Sequence, residues 1–296
     1  TEIDDIDDKI LKLIIQRSSI AKKIGIFKDA SKSFVDKKRE KQVLDRLLKL
    51  HKGSYPKDSI TRLWREIFYS STKLQQIKQK TFYPKRVIDE ITIYKGGTSK
   101  IAGKKNIIKL SSNESPFGPS KLALKSYEKT SSKLSRYPEL TALSLQKAIA
   151  DKFGINHEQI ICGTGSDEVL IFSALAFCSP GDEIIHAIHG FEMYSIITKY
   201  VGAESVLAFE NDYKISTQSI LDNINSSTKL IFIANPNNPT GTYLNRLELK
   251  SLIKKIPNNI VIVIDTAYAE FADADDYDKS FDLVDRFKNV LITRTF

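Results

Sequence analysis

Residues 235–241 read NPNNPTG, and they stand between two segments of different character. Before them, KLIFIA (229–234) is a short apolar run of the kind a buried parallel strand needs. Two prolines and a glycine then stop both strand and helix, so the heptapeptide reads as a loop at a strand end. Beyond it, LNRLELKSLIKKI (244–256) carries apolar residues at helical spacing, and NIVIVID (259–265) is a second buried strand that ends on a lone carboxylate, Asp265. The order strand, loop, helix, strand predicts an open α/β sheet. Ligands of such sheets gather at the carboxyl ends of the strands, where Asn238 and Asp265 both fall.

The same logic extends upstream. GDEIIHAI (181–188) is another buried strand, with Phe191 following at its end. GTGSDEVLIFSALAF (163–177) is a glycine turn running into an apolar helix, which leaves the N–H groups of Gly165, Ser166 and Asp167 facing outward at a helix N-terminus, a seat for an anion. NVLITRTF (289–296) is one more strand.

The first 79 residues differ in kind. Residues 3–28 place Ile3, Ile6, Ile10, Leu13, Ile14, Ala21 and Ile24 at helical spacing, predicting one long helix. Arg17 and Lys28, eleven residues apart, project from one face of it and interrupt the apolar stripe. A cation on a buried stripe needs an internal carboxylate or an anionic ligand. A second helix is predicted from Asp36 to His51, with Val43, Leu44, Leu47 and Leu50 inward and Asp36, Arg39 and Glu40 in its first turn. A third starts near Asp58 and carries Leu63, Trp64, Ile67, Phe68 and Leu74 as its apolar set, with Ser71 and Gln75 one turn apart on one face. Three helices make a thin core, so pairing of two chains through the long helix is expected. Lys80 to Arg86 reads as a linker, and the domains expected are 1–79, helical, and 91–296, α/β, joined by 80–90.

The 296 residues carry a net charge of +9 with 41% hydrophobic content, enough for ordinary cores. The charge is uneven: residues 1–79 hold 19 Lys and Arg against 11 Asp and Glu, the remainder 26 against 25. A basic excess on helices suits a solvated surface, an acidic small substrate or nucleic acid. The key cations lie on apolar faces without exposed basic rows, so nucleic acid is not expected as a partner. No apolar run reaches membrane-spanning length, and the cytoplasm is the expected compartment. Cys162 and Cys178 lie in apolar surroundings as core thiols, the four histidines form no ligand cluster, and DADDYD (273–278) lacks the glycine and terminal glutamate of a calcium loop, so no metal is expected.

NPNNPTG followed by DTAYAEF (265–271) resembles the fold-type I pyridoxal-phosphate aminotransferases, and most closely their histidinol-phosphate aminotransferase branch. LSSNESPFGPS (110–120), RYPE (136–139), GTGSDE (163–168) and FEMY (191–194) agree with that branch in order and spacing, so the resemblance covers about residues 85–296. It implies pyridoxal 5'-phosphate as cofactor, Asp265 on the pyridinium nitrogen, Asn238 and Tyr268 on the phenolic oxygen, Phe191 stacked on the ring, Gly165, Ser166 and Asp167 at the phosphate, and Tyr137 reaching the phosphate from the neighbouring subunit of a homodimer. Tyr94 and Asn113 would contact substrate from an arm that closes over the site.

QRSSIAKKIGIFK (16–28), VDKKRE (35–40) and ITRLWREIFYSSTKLQQ (60–76) resemble the all-helical chorismate mutases. Carried over, Arg17 and Arg39 would hold substrate carboxylates, Lys28 the ether oxygen and a carboxylate, Asp36 and Glu40 the ring hydroxyl side, with Ser71 and Gln75 completing the pocket. The resembled families also have an arginine just before the position of Thr1 and Ser-Lys just after that of Phe296, the lysine that holds the cofactor; the expectation is a fragment cut at both ends, not active in transamination as it stands. Together the resemblances imply an α plus α/β chain: a three-helix chorismate-mutase-like domain, then part of a PLP-transferase large domain with a mostly parallel sheet flanked by helices. The implied function is a bifunctional enzyme of aromatic amino-acid synthesis acting on chorismate, an aromatic keto acid and an amino donor. Alternatives are a histidinol-phosphate aminotransferase with a helical regulatory domain, and a non-catalytic metabolite-binding chain.

Overall fold

A computed structural model describes residues 1–27, 36–76, 88, 91, 96, 102–103, 107–279 and 281–296. Lys28, Tyr94 and nearly all of the expected linker lie outside the described residues.

The first three helices form where the periodicity places them: α1 (Glu2–Phe27), α2 (Lys37–Leu50) and α3 (Lys57–Gln76). Asp36 is the N-cap of α2, its carboxylate accepting from the Arg39 backbone N–H at 2.9 Å. That caps one of the orphan donors of a helix start. Asp36→Ala is expected to lower the stability of the chain by about 1 kcal/mol, and Asp36→Asn by much less, as read from urea midpoints. α1 and α2 both pack on α3. The apolar stripe of α1 is not covered as the periodicity suggested: Ala21 is buried, but Ile3, Ile6, Ile10 and Leu13 are 48–69% exposed. Ile14 and Ile24 are also exposed, so the gap is one of width along the whole rod: α3, the helix packed on α1, covers only part of the stripe. On α2, Leu50 is likewise exposed, at the helix end, and Leu48 is half-buried in its stead. Trp64 is half-buried on α3 and Leu63 exposed.

After the arm around Asn113 come α4 (Lys121–Ser131), α5 (Leu143–Phe153) and α6 (Ser166–Phe177). Then β1 (Glu183–Ala187), α7 (Glu192–Tyr200), β2 (Glu204–Ala208), a two-strand ribbon of β3 (Glu210–Asn211) and β4 (Lys214–Ile215), α8 (Thr217–Asp222), β5 (Thr228–Ala234), α9 (Arg246–Lys255), β6 (Val261–Asp265), α10 (Leu283–Arg286) and β7 (Val290–Thr293) alternate. The five main strands form one parallel sheet in the order β2-β1-β5-β6-β7. Period-2 alternation splits the core cleanly. Ile231 and Ile233 face α8, α9 and α10 with Leu249, Leu252 and Leu283, whereas Leu230 and Phe232 face α6 and α7 with Leu170, Tyr194 and Ile197. Strands buried on both faces explain why KLIFIA and IVIVI read as continuous apolar runs. α9 starts on a reciprocal cap: Asn245 accepts from the Leu247 and Glu248 N–H groups, and Glu248 accepts from the N–H of Asn245. Among the described residues no helix is long and apolar enough to cross a membrane.

Candidate active sites

The loop NPNNPTG leaves β5 at its carboxyl end, next to the end of β6, where Asn235 donates its N–H to the Asp265 carbonyl at 2.8 Å. Its three asparagines divide the work. Asn235, fully buried, exchanges two hydrogen bonds with the Leu244 backbone and accepts the Tyr277 hydroxyl on its carbonyl. Asn237 donates its amide to the His189 carbonyl and to Thr240, tying the loop to the end of β1. Asn238 is half-buried and its amide has no hydrogen-bond partner among the described residues. It is a donor held in place and left available.

Asp265 closes β6, and its side chain is 5% exposed. Oδ2 accepts from the Tyr194 hydroxyl at 2.8 Å; Oδ1 accepts from the Thr293 hydroxyl at 3.0 Å and the Ala267 N–H at 3.3 Å. Burial pushes this carboxyl above the usual carboxylate range, against the three hydrogen bonds that pull it down and with a further push from Asp167. Among the described residues no cation pairs with it. A buried carboxylate given only neutral donors is suited to a cationic N–H from a ligand.

Tyr194, which the sequence analysis did not single out, is the hub. It is buried on α7, stacked on Phe232 with centroids 4.8 Å apart, and set edge-on to Phe191 at 5.8 Å. Its phenol is driven well above its usual value, by burial first and by the neighbouring Asp265 charge next. A tyrosine three residues after Phe191, inside an otherwise buried helix face, was the available signal: a buried hydroxyl must find a partner. Tyr268 follows β6, and its hydroxyl accepts the Asn113 amide at 2.9 Å, so the arm is brought to the sheet end. Gly165 caps α6 at φ +89, a conformation an L side chain rarely adopts, with no side-chain cap bond to the first helical N–H groups. The amides at Ser166 and Asp167 thus receive no side-chain cap, and desolvation raises the Asp167 carboxyl. Tyr137 is fully exposed and touches none of these groups.

In the helical unit Arg17 donates to the Ser71 hydroxyl and lies over the Phe68 ring, 5.7 Å from its centroid. Ser71 in turn donates to the Ile67 carbonyl at 2.6 Å. Burial pulls the Arg17 guanidinium below its usual value. One turn on from Ser71, Gln75 Oε1 is buried with no hydrogen-bond partner among the described residues. Glu40 is half-buried, whereas Arg39 is exposed and among the described residues its side chain reaches Gln42, at 3.4 Å. Arg17 and Ser71 are thus bonded, Gln75 lies one turn further along α3, and Asp36 and Arg39 meet each other at the start of α2.

A parallel open sheet whose strand ends present a buried carboxylate, an idle amide and an uncapped helix N-terminus defines an aminotransferase-type large domain. The chain belongs to the aminotransferase class I and II family, whose model matches residues 105–296. Enzymes of this family carry pyridoxal 5'-phosphate. Residues 1–76 match chorismate mutase type II. Among curated proteins, the histidinol-phosphate aminotransferase of Dinoroseobacter shibae is 44% identical over 213 residues, covering 72% of this chain and 58% of that protein. That of Ruegeria pomeroyi is 42% identical over 215 residues, covering 73% and 59%. The chain thus spans somewhat under three-fifths of their length. The crystal structure of histidinol-phosphate aminotransferase from Sinorhizobium meliloti in complex with pyridoxal-5'-phosphate superposes with a TM-score of 0.63 at 20% identity, over 74% of this chain and 60% of that one.

Proposed function

We propose that this chain serves a bifunctional enzyme of aromatic amino-acid synthesis, with residues 1–79 rearranging chorismate to prephenate and residues 91–296 supplying the cofactor-binding part of an aminotransferase for an aromatic keto acid, joined by 80–90. One observation supports this reading most: Arg17 donates to Ser71, one turn from a Gln75 oxygen that is buried without a hydrogen bond, on the same chain as Asp265, a buried carboxylate with no cation on it among the described residues.

The rearrangement breaks an ether C–O bond as negative charge grows on oxygen, and it calls for fixed cations and donors rather than a nucleophile. Arg17 holds a carboxylate, with Arg39 as the second carboxylate ligand and Lys28 on the ether oxygen. Gln75 and Ser71 complete the polar wall, and Glu40 with Asp36 faces the ring hydroxyl. Holding the substrate in its compact conformer supplies much of the remainder.

At the sheet end the residues fit pyridoxal 5'-phosphate. Asp265, steadied by Tyr194 and Thr293, would hold the ring nitrogen and favour its protonated form. Asn238 and Tyr268 would donate to the phenolic oxygen, the Tyr268 proton being available because its own oxygen already accepts from Asn113. Phe191 would cover the ring face, and Gly165, Ser166 and Asp167 would offer the α6 N-terminus to the phosphate. Bound there, the cofactor supplies an electron sink for the α-carbon of an amino acid. Tyr137, wholly exposed in the single chain, serves the phosphate of a second copy, and the bare stripe of α1 pairs with its counterpart in the same homodimer. Tyr94 and Asn113 belong to the substrate side.

The names of the relatives favour a second reading, transamination of histidinol phosphate with the helical unit as a regulator. A panel of prephenate, phenylpyruvate, 4-hydroxyphenylpyruvate and histidinol phosphate, offered to the full-length gene product, separates them. Turnover of the aromatic acceptors, together with prephenate formation by the helical unit, is the expected result. Turnover of histidinol phosphate alone would favour the second reading, and chorismate bound without rearrangement would leave a metabolite sensor.

A further inference from the structure

α3 has a second face that neither site uses. Asp58, Arg62 and Arg65 recur at i, i+4 and i+7, one stripe of the helix, about a third of a turn away from the stripe of Phe68, Ser71 and Gln75. Each meets an opposite charge at the start of a sheet strand. Arg62 Nη1 lies 3.5 Å from Asp182, the residue before β1; Arg65 Nη1 lies 3.7 Å from Glu204, the first residue of β2; and Lys229, near the start of β5, lies 4.0 Å from Asp58. Along the helix the order is one acid and then two bases, facing a lysine and then two acids, so a one-turn slip in either direction would set one like-charged pair together.

Exposed ion pairs of this length stabilise little by themselves. Asp182 is different. Its side chain is 4% exposed; Oδ2 accepts from the Ser179 N–H at 2.7 Å, while Oδ1 is buried with no hydrogen bond. A carboxylate oxygen in that position needs a cation, and among the described residues Arg62 faces it, its Nη1 shared at 3.5 Å between Asp182 and Asp58 of its own helix. Beside it Gly181, at φ +99, lets the helix come close: a Cβ there would lie 3.3 Å from both Arg62 Cγ and Arg65 Nη1. Steric fit, burial and charge order coincide on one small face.

We infer that the Asp58–Arg62–Arg65 face of α3 is a built docking surface that seats the helical unit on the amino-terminal edge of the parallel sheet, opposite the strand ends that carry Asn238 and Asp265. The two units then form one body, and the partner of this face is the chain's own large domain. The inference stands apart from the assignment of either activity, since it uses no residue of either candidate site.

A water-soluble carbodiimide joins a carboxylate to an amine only when they are in direct contact, so it reads the Asp58–Lys229 pair without a spacer. In the full chain the expected result is a cross-linked peptide joining Asp58 to Lys229 at monomer mass. Arg65→Glu, which touches neither cross-linked residue, is expected to reduce that product about tenfold, a difference of ~1.4 kcal/mol in docking. The double swap Arg65→Glu with Glu204→Arg is expected to restore it, and far-UV circular dichroism checks that each variant is folded. Absence of the cross-link from the folded wild-type chain, its appearance only between two chains, indifference to Arg65→Glu, or failure of the swap to rescue would each overturn the inference.

Discussion

Arg17→Ala is expected to lower the rate of chorismate rearrangement by about 10²-fold or more, the scale of losing one preorganised donor from a charge-stabilising site. The guanidinium donates to Ser71 and covers the Phe68 ring, and in the proposed site it also holds a substrate carboxylate. Only the last concerns substrate. Removing the side chain leaves Ser71 its bond to the Ile67 carbonyl, so the helix pair should survive with a modest loss from packing. Arg17→Lys keeps the charge but not the flat, forked geometry, and should recover only part of the rate. Prephenate formation, measured beside thermal unfolding, checks this. A folded Arg17→Ala variant within a factor of about three of wild type would remove Arg17 from the mutase site, since such a loss is under 1 kcal/mol of transition-state stabilisation.

Asp265→Asn is expected to act in opposite directions on cofactor binding and on the stability of the ligand-free chain. Loss of a charge-assisted hydrogen bond of ~1.5–3 kcal/mol weakens pyridoxal 5'-phosphate binding by about tenfold to a hundredfold, read by equilibrium dialysis. The ligand-free chain should gain stability near neutral pH, because a buried carboxylate without a cation is replaced by a neutral amide of the same shape. The pH dependence has a definite sign. The folded carboxyl holds its proton more tightly than the unfolded one, so its contribution is favourable at low pH and is lost as pH rises from the ordinary aspartate range through the raised folded value. Wild-type stability should fall across that window, and the fall should flatten in Asp265→Asn and when cofactor is bound. A variant that loses stability at pH 7 and binds cofactor unchanged would show that Asp265 is a structural cap.

The strand ends and helix spans were legible because their signals are local and periodic. NPNNPTG between two apolar runs marks β5, its loop and α9, and a carboxylate ending IVIVID marks where Asp265 must stand. Roles that depend on which neighbour arrives were not legible. Three asparagines in one heptapeptide look equivalent on paper; only the packed loop commits Asn235 and Asn237 to backbone and leaves Asn238 idle. Tyr194 was hidden behind Phe191, because a buried hydroxyl declares its purpose only when Asp265 comes across from a strand 71 residues away. Asp36 reads as well for a substrate ligand as for a cap, and in the folded chain its carboxylate bonds to the Arg39 N–H. The bare stripe of α1 shows the limit of periodicity: it tells which side of a helix is apolar, not what covers it.

Trp64 is the chain's sole tryptophan, half-buried on α3, whereas tyrosines and phenylalanines are spread through both units. Nature has therefore left an optical reporter in the helical unit alone. Emission excited at the red edge of the indole band follows the melting of α1–α3, while the peptide ellipticity follows everything. If the units part before they unfold, the two curves will separate on a temperature ramp; if they hold together, they will superimpose, and no dye need be attached to learn which.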